Sequence, residues 1–164
     1  MKSKLKEILS YVIIIIIVLL IKQFIITPIR VNGDSMNNTL YDKDIMILDK
    51  ISYRFSEIER FDIVVIKRNG EYLIKRVIGI PGETVKYDSN RLYINDVYIE
   101  ENFAHKITDD YVLDEKIPDN YYFVLGDNRQ DSLDSRIIGL ISEDEIIGKT
   151  SLILFPFNRF GIKK

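Results

Sequence analysis

Three places in this 164-residue chain gather side chains of types that do chemistry. The first is Gly33-Asp34-Ser35-Met36, a serine in a glycine-containing turn. Ser35 is a candidate nucleophile for acyl transfer, and equally a turn or helix N-cap residue. A serine hydroxyl is barely ionised at neutral pH, so nucleophilic use requires a base beside it. The chain has one histidine, His105, in a polar stretch where it reads as an exposed loop residue. A lysine is the alternative, provided burial against apolar neighbours disfavours its charged form. Of the 14 lysines, Lys75 sits inside Leu73-Ile74-Lys75-Arg76-Val77-Ile78. On an alternating strand it shares a face with Leu73 and Val77, while Arg76 shares the other with Ile74 and Ile78. A half-exposed strand lysine is the plainer reading of the same residues.

The third place runs from Gly126 to Arg136, GDNRQDSLDSR. Its Asp, Asn, Ser and Arg content suits a hydrogen-bonded loop held by Asp–Arg pairs. A metal site from Asp127, Asp131 and Asp134 fits no calcium-loop spacing, and Arg129 and Arg136 compete for the carboxylates. With no cysteine, disulfide scaffolds, Cys-ligated zinc and thiol nucleophiles are excluded. Asn37-Asn38-Thr39 matches a glycosylation sequon of a kind that chance often produces.

These residues need elements to hold them. From Ile8 to Ile21 the chain reads ILSYVIIIIIVLLI without a charge, and Phe24-Ile25-Ile26 resume the run after Lys22 and Gln23. As a helix, residues 8–26 reach about 28 Å, the thickness of a bilayer's hydrocarbon core. Lys22 can snorkel at the outer end. A cleaved leader needs small residues at its cut site, yet Ala104 is the only alanine. A buried soluble helix needs a polar face that this run lacks. A retained single-span anchor is the expectation. Lys2, Lys4, Lys6 and the terminal amine outweigh Glu7, which sets residues 1–7 in the cytoplasm and residues 27–164 on the extracytoplasmic face at the cell membrane. That exterior part holds 19 basic and 24 acidic residues. Its overall charge gives no hold on anionic lipid and no reason to expect nucleic acid as a partner.

Beyond residue 30 the pattern is of strands. Residues 45–48, 62–66 and 71–80 are short and rich in β-branched residues, with Asn69-Gly70 a hairpin signal between the last two. Residues 84–87, 92–94 and 97–99 read as a meander, and 100–119 as a polar loop or minor lobe, together a small insert over about 84–120. Strands are expected at 121–125, 137–141 and 148–155, with a capped helical turn over Ser142–Glu145. The fold class is mainly β, a coiled antiparallel sheet behind one N-terminal helix.

Taken in order, these clusters resemble the bacterial type I signal peptidases. The resemblance spans most of residues 10–160. It rests on Gly33-Asp34-Ser35-Met36 with Thr39-Leu40, on Asp62-Ile63-Val64-Val65, on Lys75 to Glu83 (KRVIGIPGE), on Gly126 to Arg136, and on the closing Phe155-Pro156-Phe157-Asn158-Arg159. It implies a membrane-anchored serine endopeptidase that removes signal peptides from exported preproteins with small residues at −1 and −3. Membrane lipid and nearby export machinery are its implied surroundings, and no cofactor or metal is implied. Ser35 would be the nucleophile and Lys75 the base, passing through an acyl-enzyme. Ser132 would orient the lysine amine, and Arg76, Asp134 and Arg136 would brace the turns by ion pairing. Two departures stand out. Asn38 occupies a position where many members have proline, and Gly33 one where some have an oxyanion-stabilising serine. The oxyanion hole must then use the Ser35 backbone N–H and a second donor such as the Gly33 or Asp34 backbone. Rival readings are a self-cleaving repressor-type Ser-Lys peptidase, against which the span argues, an anchored β-rich binding protein, and a family member without catalysis.

Overall fold

The computed structural model describes residues 2–163, without the side chains of Lys2, Ser3 and Leu5. The Met1 amine counted in the charge argument lies outside them. Helix α1 (Lys2–Phe24) carries the apolar run, and residues 6–24 of it have a mean hydropathy of 2.3 with none of those residues buried in the protein. It ends two residues short of the expected 26, because Ile26 already belongs to strand β1 (Ile26–Arg30). That strand pairs antiparallel with β2 (Ile45–Asp49), Ile26 opposite Asp49 and Arg30 opposite Ile45.

The expected hairpin forms from β3 (Ile63–Arg68) and β4 (Glu71–Gly79), turning at Asn69-Gly70, both with positive φ. The meander forms as β5 (Val85–Asp88), β6 (Arg91–Ile94) and β7 (Val97–Ile99). The polar stretch after it contributes one short strand, β8 (Tyr111–Val112), which pairs with β5 and completes a four-stranded sheet ordered β7-β6-β5-β8. Strand β9 (Tyr121–Leu125) returns to the main sheet. The strand expected over 137–141 is corrected to one helical turn, α2 (Ser135–Ile138), then the two-residue strand β10 (Ile141–Ser142). Asp134 caps that turn, its carboxylate accepting from Arg136 N, a local bond that wins over the β-branched pair Ile137-Ile138. Ser142 and Glu145 form the expected capping box before β11 (Ile146–Phe155), and β12 (Gly161–Ile162) closes on β11. Among the described residues the main sheet runs β1-β2-β11-β3-β4-β9-β10, with β12 beside β11.

Strand β4 is covered on both faces from Lys75 onward, so the predicted alternation gives way to continuous burial. Val77 packs with Val64, Val124 and Ile141, while Ile78 packs with Val85, Leu92 and Phe123 under the small sheet. A third cluster of Val31, Met36, Leu40, Met46, Ile63 and Ile153 lies under the Ser35 turn. Met36 and Leu40, at 1% and 0% exposure, pin that turn from below. At the typical ~2 kcal/mol for burying such a side chain, they fix its position firmly.

Candidate active site

Ser35 and Lys75 meet. The Lys75 Nζ lies 2.7 Å from the Ser35 Oγ, although 40 residues separate them. Lys75 is 2% exposed, on the central strand β4 opposite Val64. Burial pushes its amine down to about 8, against the pull of the Asp134 and Asp127 carboxylates and with help from Arg136. About a tenth of the amine is therefore neutral at pH 7, far more than for an ordinary lysine, and the neutral amine can accept the serine proton. Both residues line a cleft of about 430 Å³ whose walls include Ile29, Val31, Met36, Leu48 and Ile74. Those apolar walls are the source of the desolvation.

The turn carrying Ser35 is held from a second side by the 126–129 loop. Asn128 N donates to the Ser35 carbonyl (3.0 Å), and Asn128 Nδ2 donates to the Asp34 carbonyl (3.1 Å). Gly126 packs so closely here that a Cβ on it would collide with the Ser35 carbonyl and with Ser132 Oγ. Ser35 N–H has no acceptor among the described residues. It is thus free to bind an oxyanion forming beside Oγ. Gly33 N–H is not free, because it donates to Asp42 Oδ1 at 3.1 Å; the expectation of Gly33 as second donor is corrected accordingly.

Arg76, beside Lys75 on β4, is fully buried and makes a two-pronged ion pair with Asp127 (2.9 and 2.7 Å). Its guanidinium also donates to the Phe61 carbonyl and stacks 3.9 Å from the centre of the Phe103 ring. Thr39, just after the nucleophile turn, donates to Asp127 Oδ2. Asp134 is buried, accepts from Gly126 N and pairs with Arg136, whose Nη2 also donates to the Arg129 carbonyl. The carboxylates once weighed as metal ligands, Asp127 and Asp134, are thus taken by arginines. Arg129 is anchored to Glu101 by a further buried pair.

Two expectations change. Ser132 Oγ is buried with no hydrogen-bond partner, so the expected bond to the lysine amine is not formed in this conformation. It lies against Gly126, next to the nucleophile turn. His105 is half-buried, not an exposed loop residue: its N donates to the Asp127 carbonyl, and Arg129 N donates to its carbonyl. Its Nδ1 sits 3.0 Å from Asn38 Nδ2, so the ring engages the residue three positions past Ser35 rather than the serine hydroxyl. Sequence reasoning gave Asp127 no specific partner and left Asn128 without a role. Arg76 was the signal for the first, since a guanidinium expected beside a buried lysine needs a carboxylate if it too is buried.

A family model described as "Signal peptidase, peptidase S26" matches residues 4–155. Among curated proteins, the chain is 38% identical over 173 residues to signal peptidase I S of Bacillus subtilis strain 168, covering 95% of this chain and 94% of that one. It is 37% identical over 182 residues to signal peptidase IB of Staphylococcus aureus, covering 98% and 94%. Among solved structures, a signal peptidase I from Enterococcus faecalis V583 matches with a TM-score of 0.52 at 36% identity, covering 57% of this chain and 97% of that one.

Proposed function

This chain belongs to the signal peptidase family, peptidase S26, and is a serine peptidase; on that premise we propose that it is a membrane-anchored endopeptidase cutting signal peptides from exported preproteins through Ser35 and Lys75. The observation that carries this reading is the 2.7 Å contact between a serine oxygen and a buried amine lowered to about 8. Neutral Lys75 takes the Ser35 proton as Oγ attacks the scissile carbonyl, a step contributing about 10²–10⁴-fold. The Ser35 N–H stabilises the oxyanion, by roughly 3 kcal/mol for a donor of this kind. The lysine ammonium then protonates the leaving amine. Lys75 next activates the water that releases the Ser35 ester. Arg76, Asp127, Asp134 and Arg136 position the turns, and Ser132, packed against Gly126 beside the Ser35 turn, is assigned the orienting of the lysine amine.

In this reading α1 crosses the bilayer with residues 1–7 in the cytoplasm, and residues 27–164 act on the opposite face. The apolar cleft admits an extended peptide with small residues at −1 and −3. The test is processing of a preprotein by the full chain in detergent or vesicles, for wild type, Ser35→Ala and Lys75→Met side by side. Both variants are expected to lose at least about 10²-fold. Full activity in either one overturns the assignment.

A further inference from the structure

A second concavity, of about 540 Å³, lies in the angle between the outer end of α1 and the β domain. Its helical wall includes Ile16, Leu19, Leu20 and Gln23, spaced i, i+3, i+4, i+7 and therefore one face of the helix, with Lys22 and Phe24 also lining it at the helix end. Its floor is Thr27 and Lys50, and these two residues also line the cleft that holds Ser35 and Lys75. The same two residues fasten the helix end: Thr27 Oγ1 donates to the Lys22 carbonyl (2.7 Å) and Lys50 Nζ to the Gln23 carbonyl (3.2 Å). The Lys50 charge also suits the negative end of the helix dipole. The groove on the helix and the cleft thus share Thr27 and Lys50 as lining, and the same two residues fix the helix end against the domain.

Resting on the reading of the cleft as a preprotein site, we infer that this face of α1 is part of the substrate site and receives the apolar segment that precedes the cut. The occupant is set by continuity and chemistry. The groove meets the cleft at the two polar floor residues and, past Lys22, Gln23 and Phe24 at the helix end, opens onto exposed Leu20, Leu19 and Ile16, which face hydrocarbon if α1 spans the bilayer as proposed. A chain lying in it must be extended and polar-tolerant near Thr27 and Lys50, then apolar beside Leu20, Leu19 and Ile16. An exported precursor whose apolar stretch stops a few residues before its scissile bond has that pattern. On this view α1 selects substrate as well as tethering the enzyme.

The experiment uses the full chain in phospholipid vesicles with two substrates: a preprotein carrying its apolar segment, and a short peptide spanning only the residues flanking the cut. Leu19→Trp with Leu20→Trp fills the groove while keeping the helix apolar. Ile14→Trp with Val18→Trp puts the same bulk on the opposite face. The groove pair is expected to lower kcat/KM for the preprotein about tenfold relative to the peptide, chiefly through KM. The opposite pair is expected to leave that ratio at the wild-type value. A photo-crosslinking residue at position 20 is expected to capture the preprotein's apolar segment, and one at position 14 only lipid. An unchanged ratio in the groove pair, an equal change in both pairs, or capture of lipid alone from position 20 overturns the inference while leaving the dyad intact. Failure of the wild type to cut either substrate overturns the proposed function itself.

Discussion

At the scale of single residues, the decisive quantity is the free energy of keeping Lys75 out of water. Its folded amine titrates at about 8, against 10.5 for an unperturbed lysine. Between those values the unfolded chain binds the extra proton, so stability rises as pH rises from about 8 to about 10.5, and the full penalty is present below 8. Lys75→Met removes that penalty, so at pH 7 the inactive variant is expected to be more stable, by on the order of 3 kcal/mol. Denaturant melts of both proteins across pH 7–11 check this, and the variant's curve should be the flatter. In the same window kcat/KM of the wild type is expected to climb tenfold per pH step below about 8 and level off above it. Arg76 behaves in the opposite sense. Asp127→Ala leaves its guanidinium buried and unpaired, and is expected to cost about 3–5 kcal/mol in a urea melt. The sequence made Lys75 readable through Leu73 and Val77, because same-face neighbours are a local property of a strand. Arg76 signalled that some carboxylate must pair with it, but which one was not readable, because Asp127 lies in the loop after β9, 51 residues away.

At the scale of elements, the site is two turns pressed together over a strand that carries the base. Gly126 is where they touch, and Gly126→Ala has no room without moving the Ser35 carbonyl. The variant is expected to lose about 1–3 kcal/mol of stability. Its kcat is expected to fall by roughly 10²-fold, as for a nucleophile displaced by ~1 Å. Single-turnover kinetics on a short peptide would measure the second effect apart from substrate binding. The main strands were legible because their β-branched runs are bounded by turn chemistry such as Asn69-Gly70. Strand β1 was hidden because Ile25 and Ile26 continue the apolar run of the helix, and hydropathy has no mark for the change from helix to a strand paired with β2. The strand read into residues 137–141 failed for the converse reason: Ile137-Ile138 favours extension by propensity, but the Asp134 cap and the packing around it turn the backbone into a helix.

At the scale of the whole molecule, helix and domain are not separable at the place the hydropathy suggests. A chain beginning at residue 25 keeps β1 and is expected to fold and cut a short peptide at close to the full rate, while losing vesicle-bound preprotein. A chain beginning at residue 31 leaves β2 as a bare sheet edge beneath the Ser35 turn, and is expected to aggregate on expression. Sedimentation and peptide cleavage of the two truncations distinguish these outcomes. The near absence of any connector between Phe24 and Ile26, with Lys50 N donating to the Ile25 carbonyl, leaves little slack between the helix end and the domain that carries the serine. With α1 anchored in the bilayer as proposed, such an enzyme is expected to act as a ruler, cutting at a set distance from the membrane surface and passing over precursors whose bond lies too near or too far.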